Sequence, residues 1–278
     1  MMTPIVLQNS ALTAHIDPNG AKVQRLTSRL LQRSVLHENA AGGLFPMLPL
    51  ANRVAGNRFV FQGREITLPH HHADSRFFLH GDGWLWRWDV VEQGDDSCVL
   101  QLRSQHDCGF DYVAKIRYQL RDNQFVSALT LTHCGEAPML YGAGFHPFFP
   151  FDKHSQVQFH ASGYWPEGAL HLPLGWQGLI PRQADFTCPQ YGEDAWLNVG
   201  YSGWNGRAQV FNDVMIITIL SQTPWLMLFR MQGEPFLCLE PQSHPVNAHN
   251  MDGQPGLRVL GAGDELHFAM TIDVQARE

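Results

Sequence analysis

Apolar and polar residues alternate with a period of two along most of this chain. Successive strand side chains point to opposite faces, so the pattern predicts half-buried β-strands. Cys98, Leu100 and Leu102 fall on one face of one strand, and Tyr112, Ala114, Ile116, Tyr118 and Leu120 on one face of the next. Arg121-Asp122-Asn123-Gln124 reads as a hairpin loop, because Phe125, Ser127, Leu129 and Leu131 resume the alternation directly. Phe59 to Phe61 and Glu65 to Leu68 flank Gln62-Gly63 in the same way. Trp84, Trp86, Trp88 and Val90 are expected on one face of a further strand.

Toward the C-terminus, 214–220, 225–229 and 236–239 are nearly continuous apolar runs, as expected of strands covered on both faces. Leu266, Phe268, Met270, Ile272 and Val274 form a last alternating strand. Helical spacing is confined to one short candidate at 26–36. Many short strands joined by Gly- and Pro-rich turns predict an all-β fold, a large sandwich or barrel. No linker or repeat divides the sequence, so one domain over residues 1–278 is expected.

Composition narrows the functional classes. With 44% hydrophobic and 16% charged residues the chain lies far from the disordered regime. A net charge of −7, with 26 acidic against 19 basic residues and no basic run, argues against nucleic acid as a partner. No apolar stretch approaches the ~20 residues that span a bilayer. The first sixteen residues lack the basic-then-apolar pattern of a secretory signal, so no membrane partner and a cytoplasmic location are expected. Five cysteines, Cys98, Cys108, Cys134, Cys188 and Cys238, are widely spaced without a Cys-x-x-Cys pair and read as small core residues.

Several chemistries find no motif. Gly142-Ala143-Gly144 and Gly261-Ala262-Gly263 lack the third glycine and the helix of a dinucleotide site, and there is no phosphate-binding loop. Gly200-Tyr201-Ser202-Gly203 is one residue too short for a nucleophile elbow. His244 and His249 have the spacing of half a zinc site but no second half, so no metal is expected. His70-His71-His72 reads as a solvated loop.

Four ionisable residues stand where an apolar chain would not ordinarily place them: Arg53, His80, His146 and Glu240. Glu240 ends an apolar run and precedes Pro241, which is expected to stop the strand there. A carboxylate at the lip of a buried strand is partly desolvated, which raises its pKa toward that of a usable base. The plainer reading is a strand-end charge facing water. His146, between Gly144-Phe145 and Pro147-Phe148, is either a proton donor in a stiff aromatic corner or a core histidine. His80 raises the same choice. Arg53, after Asn52, is either a donor fork for sugar oxygens or a surface arginine. Acid, base and donor clamp together suit proton transfer on a polyhydroxylated substrate. Trp84, Trp165, Trp204 and Phe148 are candidates to pack on its ring, with ordinary core packing the alternative for each.

At these residues the sequence resembles the aldose 1-epimerase (galactose mutarotase-like) family over nearly its whole length. The matching segments are Leu50-Ala51-Asn52-Arg53, Leu79-His80-Gly81, Gly144-Phe145-His146-Pro147-Phe148-Phe149, Gly203-Trp204-Asn205-Gly206 and Leu239-Glu240-Pro241, in the family's order. The resemblance implies a β-supersandwich, a small-molecule sugar substrate and no cofactor. It implies Glu240 as general base and His146 as general acid, with Arg53, His80 and Asn52 among the residues that hold the sugar. The family often carries an Asp ahead of its Gly-Trp segment, and here Asn198 occupies the aligned position, with Asp194 a few residues earlier. An amide donates as well as accepts, so the hydroxyl pattern read there is expected to differ. Two other functions are consistent with the sequence: a 1-epimerase for a hexose 6-phosphate, needing further cations such as Arg76 and Arg87, and a sugar-binding protein without turnover.

Overall fold

A computed structural model describes residues 4–40, 42–191 and 194–277. Most strands belong to two large antiparallel sheets. One has ten strands, running Ile5–Gln8, Leu12–Asp17, Lys22–Ser28, Leu44–Met47, Gly144–Pro150, Phe236–Gln242, Trp225–Arg230, Leu197–Ser202 and Gly163–Trp165, with Arg33–Ser34 paired beside Lys22–Ser28. The other has nine, from Gln190–Tyr191 through Gln156–Phe159, Arg207–Phe211, Met215–Leu220, Glu265–Ala276, Gln124–His133, Asp111–Arg121 and Ser97–Gln105 to Asp89–Gln93. The chain is thus the all-β supersandwich expected, and among the described residues no helix is long and apolar enough to cross a membrane.

Period-two alternation sorts the side chains of the ten-stranded sheet. Phe145, Phe149, Leu237 and Leu239 join the main core with Ile116, Tyr118, Leu129 and Ile272 of the second sheet. Each contributes roughly 1.5–3 kcal/mol of burial. The intervening residues Phe148 and Cys238 pack with Phe45, Met47, Ala51 and Phe236 in a separate cluster on the opposite face. That second face carries the site.

The hairpins fall as expected: Arg121 pairs with Gln124, and Phe61 with Arg64. Four expectations are corrected. The helix candidate at 26–36 is a strand hairpin, Thr27 pairing with Ser34, and its turn brings Val35 beside Leu26, which mimics helical spacing. Trp84, Trp86 and Trp88 do not share a strand face. The backbone turns there, with Gly81 left-handed (φ 68°), so Trp88 is buried, Trp86 exposed, and the strand begins only at Asp89. Cys98 and Cys238 are buried, but Cys134 and Cys188 are exposed and Cys108 half-buried, because these three lie in turns and loops at strand ends. Pro241 does not stop its strand, which continues to Gln242 and leaves Glu240 buried within it.

Candidate active site

The Gly144–Pro150 and Phe236–Gln242 strands pair with Gly144 opposite Gln242 and Phe148 opposite Cys238. Counting inward from both pairs sets His146 across from Glu240. Phe45 flanks His146 from one neighbouring strand and Met227 flanks Glu240 from the other. Phe148, Cys238, Phe229 and Asn198 form the next row on the same face.

His146 Nε2 lies 3.2 Å from Glu240 Oε1. The second carboxyl oxygen, Oε2, accepts from Gln242 Nε2 at 3.1 Å. The imidazole is sandwiched between Phe45 and Phe148, with ring centroids 4.6 and 4.7 Å away. Burial disfavours both charged forms. It pushes Glu240 up to about 8, against the pull of Gln242 and Arg53, and His146 down to about 3. Between those values the pair as a whole holds one proton.

His80 enters from the left-handed His80-Gly81 step (φ 59° and 68°). A Cβ on Gly81 would meet the Leu48 carbonyl oxygen at 2.0 Å, so only glycine fits. His80 Nδ1 accepts from the Asn52 backbone N–H at 3.1 Å, which leaves the ring proton on Nε2 as a donor. Its ring stands edge-on to His146 with centroids 5.2 Å apart, and burial holds its pKa well below the usual imidazole value. Below this turn the buried Asp82 carboxylate accepts from Ser104 Oγ at 2.6 Å and from Tyr112 Oη, and pairs with His106 Nε2 at 2.7 Å.

Arg53 is held by its neighbours. Its Nη1 donates to Asn52 Oδ1 at 3.2 Å, and its backbone carbonyl accepts from Asn247 N at 3.0 Å. His244 braces the same loop, Nε2 accepting from Ala51 N at 3.1 Å and Nδ1 lying 2.8 Å from the Pro245 carbonyl. Both its ring nitrogens therefore serve the main chain. His249 is buried against Phe59. His70 and His72 are exposed, as expected of a loop, while His71 is half-buried with Nε2 3.0 Å from the Leu79 carbonyl.

Asn52, Arg53, His80, His146, Asn198 and Glu240 all line one cavity of about 210 Å³, partly open to solvent. Leu79, His171, Trp196 and Phe229 complete it. The four aromatic candidates lie elsewhere. Phe148 backs His146, Trp84 stacks on Phe45, Trp204 is in the main core, and Trp165 bonds Ser202 Oγ. Asp194 is also outside, its Oδ1 accepting from Gly233 N at 2.6 Å.

Sequence reasoning missed Trp196, His171, Phe229, Gln242 and Glu167. The alternation Trp196-Leu197-Asn198 could have given the first, since i and i+2 share a strand face. Glu167 receives Asn198 Nδ2 at 2.5 Å and Trp196 Nε1 at 2.7 Å, and lies 2.6 Å from His171 Nδ1. Burial alone would raise its pKa, but these partners outweigh that and hold it below the usual carboxylate value. His146, Cys238 and Glu240 offer ligand atoms within 4.8 Å of one another, a set that could accept a thiophilic ion. Burial keeps the Cys238 thiol protonated, however, and the other two groups already engage each other.

A carboxyl and an imidazole in contact, beside a donor imidazole and a guanidinium, can move protons on a hydroxylated ligand. The aldose 1-epimerase family profile matches residues 4–273. The chain is 32% identical to the uncharacterized protein YphB of Escherichia coli K12 over 99% of both chains. A solved structure of a candidate aldose 1-epimerase from Escherichia coli K12 superposes with a TM-score of 0.94 at 29% identity, covering 100% of each chain. The aldose 1-epimerase of Escherichia coli K12 is 29% identical over 43% of this chain and 38% of its own length.

Proposed function

The chain belongs to the aldose 1-epimerase family, and from that premise we propose that it interconverts the α and β anomers of a free aldose without a cofactor. The observation that carries this reading is the 3.2 Å approach of His146 Nε2 to Glu240 Oε1 on the floor of the cavity. The anomeric hydroxyl and the ring oxygen of a hemiacetal share one carbon, so the two groups that serve them must lie close together.

Glu240, ionised, takes the proton of the anomeric hydroxyl. The C1–O5 bond breaks, its electron pair goes to the ring oxygen, and His146 protonates that oxygen. The open aldehyde turns about C1–C2 and closes on its other face, which returns the proton to each group. The cycle needs that one proton on His146; burial favours it on Glu240, and the nearby Arg53 charge pulls the other way, toward the carboxylate. His80 Nε2 and Arg53 would hold sugar oxygens, and Asn52 fixes both of them. Each placed proton donor or acceptor typically contributes ~10²- to 10⁴-fold.

Support for an unphosphorylated sugar comes from charge. Arg53 is the only Lys or Arg side chain lining the cavity among the described residues, and Asp74, Glu240 and Glu167 already act on it. Arg76 and Arg87 do not line it. The test is NMR exchange spectroscopy of α and β anomers over free and phosphorylated sugars, wild type beside Glu240→Gln. Faster exchange of free aldoses, lost in the variant, is expected. Binding without faster exchange would leave a sugar-binding protein, and acceleration confined to phosphosugars would reassign the substrate.

A further inference from the structure

Asn198 faces the cavity with an amide, a group that can present either a donor or an acceptor. Its neighbour decides which. Glu167 Oε1 lies 2.5 Å from one end of the amide, and only an N–H can meet a carboxylate oxygen at that distance. The Asn198 NH₂ is therefore turned to Glu167, and the carbonyl oxygen, which has no hydrogen bond among the described residues, points the other way. Glu167 is itself fixed from two further directions. Trp196 Nε1 donates to its other oxygen at 2.7 Å, and His171 Nδ1, 2.6 Å from Oε1, completes a three-point cradle. Glu167 stands behind Asn198 and His171, which line both the main cavity and the small adjoining one that Glu167 lines.

We propose that Glu167 is a positioning residue that makes Asn198 an obligate hydrogen-bond acceptor toward substrate, so that this wall of the site selects a free sugar hydroxyl. The inference rests on the sugar reading above and adds to it a determinant of specificity that lies outside the acid–base pair. The same cradle ties the Trp196 indole to the carboxylate, so the wall is set as a unit.

The test is a swap, with exchange kinetics on the free aldose that wild type turns over fastest. Glu167→Gln removes the charge that orders the amide. Asn198→Asp sets two carboxylates against each other. Each single variant is expected to raise KM about tenfold or more while kcat stays within about threefold, since ground-state and transition-state binding suffer together. The double variant E167Q/N198D restores one donor facing one acceptor with oxygen toward the cavity, and its KM is expected back within about threefold of wild type. Single variants with wild-type KM, or a double variant impaired by the product of the two single effects, would overturn the positioning role. A wild type that accelerates no sugar would overturn the proposed function itself, and that is measured first.

Discussion

His146 and Glu240 face each other from neighbouring antiparallel strands, and each is followed by a proline. Pro147 and Pro241 lack N–H groups, and no ladder pair forms between the Gly144–Gln242 and Phe148–Cys238 pairs that bracket them. In the middle of a sheet such a residue ordinarily costs a ladder bond. Here both prolines fall in one gap, and the gap sits under the two side chains that share a proton.

If that pair carries the reaction, Glu240→Gln keeps the shape of the floor and removes the base. Anomer exchange should fall by ~10²- to 10⁴-fold. His146→Gln should produce a loss of the same order. Sugar binding by calorimetry should survive in both, and a variant that retains wild-type exchange would dismiss the residue from the chemistry.

The rate should depend on pH through the pair's total proton count. With Glu240 raised to about 8 and His146 lowered to about 3, one proton is held across neutrality. A profile of kcat/KM against pH should therefore be flat near pH 7 and fall roughly tenfold per pH unit above about 8, as that proton leaves. A profile that climbs through pH 8 would instead mean that the fully deprotonated pair is the active form.

Stability carries the opposite signature of the same burial. Glu240 has a folded value of about 8 against 4.5 for a free carboxyl, so its neutral-state contribution is complete below about 4.5 and lost as pH rises toward 8. Glu240→Gln lacks that titration, and its Tm relative to wild type should rise between pH 5 and about pH 8 and level off above it. His146, lowered from 6.5 to about 3, contributes stability above 6.5 that is lost as pH falls. Both proteins keep that term, so the difference isolates Glu240. Scanning calorimetry at three pH values would read it, and a constant difference would contradict the raised carboxyl.

Asp82 follows the His80-Gly81 turn in sequence, and its carboxylate is the common acceptor of Tyr112, Ser104 and His106. Asp82→Ala leaves these donors without their buried partner, a loss of ~3–5 kcal/mol. At ~2–4 °C per kcal/mol for a chain of this size class, Tm should drop by about 10 °C. KM should rise if the adjoining His80-Gly81 turn shifts with it, and an unchanged Tm would show the network to be dispensable.

Arg53 is expected to bind sugar and to pull Glu240 toward its ionised form. Arg53→Ala should raise KM by ~10- to 100-fold, the worth of a charged hydrogen bond, and move the alkaline limb of the pH profile upward. Arg53→Lys should restore the limb more fully than KM, because an ammonium keeps the charge but not the planar fork.

The strands were legible wherever one face is buried, as along Tyr112 to Leu120 and Leu266 to Val274. Alternation misled at Trp84 to Trp88, where Gly81 and a turn at Asp82 override it, and helical spacing misled at 26–36, where a hairpin imitates it. Glu240 and His146 stood out as ionisable groups inside apolar runs. Glu167 and His171 did not, since they lie on a segment with little regular structure and no local period reports where such a segment folds back. The cavity aromatics were misassigned for a related reason. Tryptophans are equally at home in the core, and only the fold decides between Trp204 and Trp196.

Because Phe145 and Leu239 point into the main core while their immediate neighbours His146 and Glu240 point away from it, slipping either strand by one residue would turn the His146–Glu240 pair into the core and the packing residues toward the cavity. Insertions within these strands are therefore barred twice over, once by folding and once by chemistry. The segment bearing Glu167 and His171 is under no such register constraint, so on the proposed reading substitutions there would change which sugar is held without disturbing the strands that carry His146 and Glu240.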